Sequence, residues 1–311
     1  MSVILITGCS TGIGYAAAEK LARNGHTVYA TMRNPEGSPQ LSQLAEDNDL
    51  PITVLPLDVN DEQSIQSTVS LILDNEEAID VLVNNAGVAS WGAAEELPIE
   101  SFKTDMETNY FGTLRCIKAV LPSMRKRKSG SIINVTSIAA KFHANFFSSY
   151  CASKAAVEAL SEALAQELKP FNIEVTIVEP GVIKTPIFSK AVKANYIPDN
   201  TNYPNVRRLL SFFAASLERE TPPSVVADVI NDIVERKSNK IRHPAGSDAA
   251  GLLEMRASTS DEDWVTVGGI DDDDWIAAME QMGLEVRKYM QAEELPRLTV
   301  DDLSMQTIPI E

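Results

Sequence analysis

Cysteine is scarce in this chain, and that limits the chemistry open to it. Cys9, Cys116 and Cys151 are the three in 311 residues, an odd number with no motif spacing. Neither a disulfide framework nor a zinc site is suggested, and free thiols in a reducing cytoplasmic setting are expected. No His/Cys/acid cluster offers a metal site. Long apolar runs are also missing. No stretch of about 18 apolar residues occurs, so no membrane-spanning helix is expected. The first apolar strand begins at Val3, which leaves no room ahead of it for a signal peptide. Positive charge is in deficit: the formal net charge is −17, which argues against nucleic acid and anionic membranes as partners. The deficit is uneven. From Pro244 to Glu311 there are 16 Asp or Glu against 4 Lys or Arg, and this change marks a boundary near residue 244.

Glycine is concentrated where it counts. Val3 to Thr7 is apolar and β-branched, as in a buried parallel strand. Gly8, Gly12 and Gly14 follow, then helical spacing of Ala and Leu from Ile13 to Ala22. Asn24-Gly25 stops the helix, and Thr27 to Met32 resumes a β-rich run. That order is a βαβ unit with a phosphate-binding turn in its crossover. The turn's N–H groups and the positive end of the helix dipole suit a pyrophosphate.

The string Thr7-Gly8-Cys9-Ser10-Thr11-Gly12-Ile13-Gly14 reads TGxxxGIG and resembles the glycine turn of the short-chain dehydrogenase/reductase (SDR) family. Asn84-Asn85-Ala86-Gly87, after the strand Ile79–Val83, resembles the family's NNAG signature. Pro180-Gly181-Val182-Ile183-Lys184-Thr185, after the strand Ile173–Glu179, resembles its PGxxxT turn. Further strands are expected at Ile52–Leu57, Ser131–Thr136 and Lys240–His243. Helices are expected at Leu41–Asp49, Gln63–Asn75, Ser101–Met124 and Pro223–Arg236. The fold expected is α/β: a Rossmann-type doubly wound sheet of about seven parallel strands, helices on both faces, plus an acidic C-terminal extension. Residues 1–243 form the dinucleotide-binding and catalytic domain, with a substrate lid at about 186–222, and residues 244–311 form the extension.

The resemblance implies a nicotinamide cofactor held by Gly8, Ser10, Thr11, Gly12, Ile13 and Gly14 at the phosphates. Asp58 and Val59 would lie at the adenine, Asn85, Ala86 and Gly87 at the ribose, and Pro180, Gly181, Val182 and Thr185 at the nicotinamide amide. Asp58 could instead cap the helix that starts near Asn60-Asp61-Glu62. The second strand ends Thr31-Met32-Arg33, with no acid to meet the ribose hydroxyls. Arg33 can fork onto a 2′-phosphate, so NADP(H) is expected over NAD(H). Ser10 stands where NADP-using members often carry a basic residue.

Tyr150 and Lys154 are four apart at the head of an Ala-rich helix and share one face. Ser137 sits at the C-terminal end of a strand, the edge where open parallel sheets bind ligands. Tyr150 is the expected general acid/base, with its phenol drawn down by the Lys154 charge. Ser137 is expected on the substrate oxygen. By resemblance, Asn109 bends its helix and holds a water toward Lys154, while Tyr150 and Lys154 also touch the cofactor. The chemistry expected is hydride transfer between nicotinamide and a secondary alcohol or ketone, with a lean toward a bulky apolar, steroid- or retinoid-like substrate. A non-catalytic NADP-binding sensor or scaffold is the alternative. The longer sugar-nucleotide branch of the family normally shows TGxxGxxG, which is absent here.

Several features have plainer readings. Arg125–Lys128 suits a solvated helix end. His143 reads as an incidental loop residue, and Cys151 is expected to pack off the catalytic face. Asp271–Asp274 lacks the EF-hand alternation. Asp274 to Met290 carries apolar residues at spacing that allows a helix around Gly283. Trp264 and Trp275 predict that the extension packs on the core or on a neighbouring subunit. A homodimer or homotetramer, paired through the helices holding Asn109 and Tyr150, is expected from the resemblance.

Overall fold

Seven short strands, five of them apolar and almost wholly buried, dictate the architecture. The computed structural model describes residues 1–193, 201–296, 298 and 300. Strands β1 (Val3–Thr7), β2 (Thr27–Met32), β3 (Ile52–Pro56), β4 (Val81–Asn84), β5 (Gly130–Val135), β6 (Ile173–Pro180) and β7 (Arg242–Ala245) form one sheet. Every pairing is parallel and the order is β3-β2-β1-β4-β5-β6-β7. The order reverses between β1 and β4, and that switch point opens a crevice at the C-terminal ends of the strands.

Alternation along each strand splits the core in two. Ile4 and Ile6 point to one face, with Ala17 and Leu21 of α1 (Gly12–Arg23), Leu41 of α2 (Gln40–Asp47) and Ile230 of α9 (Ser224–Val234). Leu5 and Leu82 point to the other. There they meet Ile65 and Ile72 of α3 (Glu62–Glu76), Ile117 and Val120 of α5 (Gly112–Arg127), and Leu164 of α6 (Ser148–Leu168). Burying both faces is what makes an all-parallel sheet stable.

Element ends differ from expectation by a residue or two, as frayed ends do. β7 lies two residues later than the expected Lys240–His243, and the composition change at residue 244 falls inside it. The Arg242 guanidinium explains its position: it bonds Glu158 of α6 (2.6 Å) and Glu179 of β6 (3.0 Å). The expected helix Ser101–Met124 is three pieces: α4 (Ile99–Asp105), a π turn at Met106–Phe111 and α5. Of the lid region, α7 (Ile187–Lys193) and α8 (Val206–Leu217) are seen, while residues 194–200, including Tyr196, lie outside the described residues.

The extension forms α10 (Ala249–Ser258), α11 (Asp261–Thr266), α12 (Asp272–Gln281) and α13 (Arg287–Met290). A helix running through Gly283 is not found. Gly283 has φ +73°, a left-handed conformation that ends α12 and turns the chain toward α13. Trp275, Ile276, Leu284 and Val286 bury against Ala215 and Phe212 of α8. Residues 301–311 lie outside the described residues.

Candidate active site

One cavity of about 920 Å³ opens along the C-terminal edge of the sheet. Its floor at the switch point is the glycine turn. A Cβ on Gly14 would stand 2.5 Å from the Asn85 amide nitrogen and from the Gly8 carbonyl oxygen, so only hydrogen fits there. Asn85 closes the same cradle from β4: its amide donates to the carbonyls of Thr7 (3.0 Å) and Gly8 (3.1 Å). Asn84 donates to Asn134 (2.8 Å), and Asn134 donates to Ser161 (2.8 Å), which ties β4, β5 and α6 together.

The cavity brings together Gly8, Ser10, Thr11, Gly12, Ile13, Arg33, Asp58, Val59, Asn85, Ala86, Gly87, Ser137, Tyr150, Lys154, Pro180, Gly181, Val182 and Thr185. Gly14 lies beneath its floor. Arg33 stands exposed at the end of β2, with no hydrogen bond or ion pair to protein among the described residues. Asp58 does not cap α3, because Asp61 does, accepting from the N–H groups of Gln63 (2.9 Å) and Ser64 (3.3 Å). Thr185 lies against the glycine turn: a Cβ on Gly12 would come 3.3 Å from its methyl. The glycine cradle at the α1 N-terminus, inside a cavity of about 920 Å³, fits a dinucleotide.

At the far side of the crevice, Ser137, Tyr150 and Lys154 converge. Ser137 follows β5 by two residues, and its hydroxyl accepts the Ala139 N–H (3.1 Å) at the head of a 3₁₀ turn. Lys154 Nζ donates to the Val135 carbonyl (2.9 Å) and sits 5.7 Å from the Tyr150 ring centroid. Phe147 stacks on Tyr150 with centroids 4.6 Å apart. Asn109 sits in the π turn and does not line the cavity. Its amide clasps Val88 at both N–H and C=O (2.9 Å each) and donates to Ser153 (2.8 Å). Gly87 is the spacer between Asn109 and Lys154: a Cβ there would lie 3.2 Å from the Asn109 oxygen and 3.5 Å from Lys154 Nζ.

Burial dominates the electrostatics. It pushes the Tyr150 phenol above its ordinary range, opposed by the Ser137 hydrogen bond and reinforced by Cys151 and Asp105. The phenol is thus not drawn down as expected from Lys154: in the protein alone burial raises it. Burial also brings Lys154 down to about 8, partly countered by the Asp105 carboxylate. Both shifts favour the neutral forms: the phenol keeps its proton, and the ammonium yields its proton more readily than a free lysine does.

Asp105 was missed by sequence reasoning. It is fully buried and accepts from Ser90 N–H (3.2 Å), Ser90 Oγ (3.0 Å) and Ser149 Oγ (2.7 Å). It thereby joins α4 and the loop after β4 to the residue preceding Tyr150. Lys190 was missed too. On α7, it lines the cavity with Nζ 3.4 Å from Thr11 Oγ1 at the glycine turn. No local pattern marks either residue. His143 lines the cavity and bonds the Ala140 carbonyl (3.1 Å). Cys151 is buried, and burial pushes its thiol up to about 12. Asp271 caps α12, and Asp272 pairs with Arg208 (2.6 Å).

The short chain dehydrogenase family model matches residues 2–195, more than half of the chain. An uncharacterised oxidoreductase, YusZ, of Bacillus subtilis is 37% identical over 251 residues, covering 78% of this chain and 89% of that protein. A 3-ketodihydrosphingosine reductase of Bacteroides thetaiotaomicron is 36% identical over 245 residues, covering 78% and 87%. Among solved structures, a short-chain dehydrogenase from Streptomyces avermitilis superposes with TM-score 0.71 at 31% identity, covering 91% of this chain and 97% of that one. A point variant of actinorhodin polyketide ketoreductase with NADPH superposes with TM-score 0.70 at 27% identity, covering 81% and 97%. Sheet order, glycine cradle, site geometry and these likenesses converge: the chain belongs to the short-chain dehydrogenase/reductase family of oxidoreductases.

Proposed function

We propose that this protein is an NADP(H)-dependent oxidoreductase of the cytoplasm that interconverts a bulky apolar secondary alcohol and its ketone. The observation that carries this reading is the meeting of Ser137, Tyr150 and Lys154 in the same cavity as the glycine turn. When bound, the cofactor supplies or accepts the hydride. The chain does the rest. The glycine turn, with Ser10 to Gly14, holds the pyrophosphate on the α1 N-terminus, and Lys190 adds a cation there. Arg33 takes the 2′-phosphate. Asp58 and Val59 hold the adenine, and Asn85 to Gly87 the ribose. Pro180 to Val182 and Thr185 hold the nicotinamide amide. NADPH in the ketoreductase relative supports the cofactor assignment.

Tyr150 donates its phenolic proton to the carbonyl oxygen of a ketone, and it is in the donating form at neutral pH because burial raises its pKa. The Ser137 hydroxyl hydrogen-bonds the same oxygen as charge develops. Lys154 favours the tyrosinate left behind by its charge, and a proton from bulk solvent, passed by way of Lys154, restores the phenol. Asn109 is a positioning residue: it fixes the Val88 loop and α6 so that Gly87 stays against Lys154. Residues 1–243 are the catalytic unit and 244–311 an acidic extension. The three buried, unpaired cysteines suit a reducing compartment. Among the described residues no helix is long and apolar enough to cross a membrane. Two or four copies pair through the helices carrying Asn109 and Tyr150.

The test is NADPH consumption with a panel of ketones, comparing wild type with Tyr150→Phe. Loss of the general acid is expected to lower kcat by about 10²–10⁴-fold with cofactor affinity retained. Equal turnover by both proteins would end this assignment.

A further inference from the structure

The cavity changes character along its length. Beside Tyr150 it is rigid and aromatic: Trp91 makes edge contacts with Phe188 (5.7 Å) and Phe213 (5.1 Å), and Phe147 stacks on Tyr150. Beyond Phe212 the lining passes to Leu252, Met255, Trp264, Trp275, Met279 and Met282, all from the acidic extension. This far wall is firmly seated. Arg208 of α8 bonds Asp272 (2.7 Å) and the Ile270 carbonyl (2.8 Å). Trp264 donates to the His143 carbonyl (3.2 Å), and its ring meets Phe142 at 4.7 Å. Arg207 gathers the carbonyls of Tyr289 and Ala292 (3.0 Å each).

We propose that α10–α12 form a tail subsite, which takes a long flexible apolar chain carried by the ketone or alcohol; this rests on the oxidoreductase reading above. The lining is apolar, so an apolar tail gains by leaving water. Methionine has an unbranched, adaptable side chain, and three of them at this end fit a mobile chain better than one fixed ring outline. A charged tail gains nothing from Arg208, whose guanidinium is already held by Asp272. Val265 and Val267, 76% and 40% exposed, stand at the cavity's rim and offer an apolar entry among acidic neighbours.

The chain's three tryptophans, Trp91, Trp264 and Trp275, all line the cavity, so intrinsic fluorescence reports its occupant. The experiment titrates the full chain with NADPH present, using alkan-2-ones from butan-2-one to decan-2-one. Each methylene that enters the subsite is expected to raise affinity about fourfold. Met279→Asp is expected to lower the ratio of decan-2-one to butan-2-one affinity about tenfold or more, and Val265→Asp, at the exposed rim, to lower it by a smaller factor. Val265 is on the surface, so its variant keeps the test open if Met279→Asp does not fold. Affinity independent of chain length, or a ratio untouched in the folded variants, overturns the subsite. A steep chain-length dependence with no NADPH oxidation by any ketone supports the subsite and overturns the redox reading instead.

Discussion

Replacing Arg33 with alanine tests the cofactor assignment at a single guanidinium. Arg33 ends β2 at the cavity's edge and has no protein partner to lose among the described residues. Its removal therefore leaves no buried donor stranded, and the fold is expected to stay intact. A charge-assisted contact to the 2′-phosphate contributes about 1.5–3 kcal/mol. Arg33 is exposed and screened by salt over about 8 Å, so the lower end applies, about tenfold in Kd. The assay is the enhancement of nicotinamide fluorescence on titration with NADPH and, separately, NADH. Arg33→Ala is expected to weaken NADPH about tenfold and NADH by less than about twofold, because NADH has no phosphate at that position. Arg33→Lys should fall between, since a point charge replaces a planar fork. Raising the salt concentration should erode the NADPH preference of the wild type and leave the variant's ratio flat. Equal weakening of both cofactors by Arg33→Ala, or equal binding of both by the wild type, would refute the 2′-phosphate contact and with it NADP(H).

Lys190 reaches the glycine turn at Thr11, where the proposed pyrophosphate site is common to both cofactors, so Lys190→Ala should weaken NADPH and NADH by the same factor, about 3–10-fold in the same titration. A selective loss of one cofactor would show that the cation lies elsewhere. Lys154 makes a stability prediction of opposite sign to its catalytic one. Its pKa is about 8 in the folded protein against 10.5 in the unfolded chain, so between those values the unfolded chain binds the extra proton and stability rises with pH. Below about 8 the whole burial cost is present, roughly 3 kcal/mol. Lys154→Met removes that cost and also the bond to the Val135 carbonyl, about 1 kcal/mol. The variant should be more stable at neutral pH by roughly 1–2 kcal/mol in urea denaturation, with the gain gone above pH 10.5. A less stable variant at pH 7 would show that the Lys154 charge is compensated in the fold.

The strands were legible because burial on both faces forces a run of apolar β-branched residues, and such runs stand out. Val3–Thr7 and Thr27–Met32 fall where their patterns end. The glycine turn was legible because its residues are contiguous and each is constrained by backbone, as the close approach of Asn85 to Gly14 illustrates. Tyr150 and Lys154 were legible as a pair because one helical turn brings them together. Less could be read where the controlling contact is remote. The register of β7 depends on Arg242 reaching Glu158 and Glu179. The break at Gly283 competes with an apolar pattern that runs through it, and the left-handed glycine prevails.

Local periodicity, glycine stereochemistry and helical geometry suffice to specify the βαβ cradle, the parallel sheet and the linear spacing of Ser137, Tyr150 and Lys154. The field those groups feel and the space in front of them come instead from packing between elements far apart in the chain. Burial raises Tyr150 and lowers Lys154, and desolvation is a property of the whole enclosure. Trp264 and Trp275 predict that the acidic extension packs on the core, and Trp275 does. That the extension's apolar residues line the far end of the cavity is not written in their order. Chain distance says nothing of which side chains will close a cavity; packing between elements settles it.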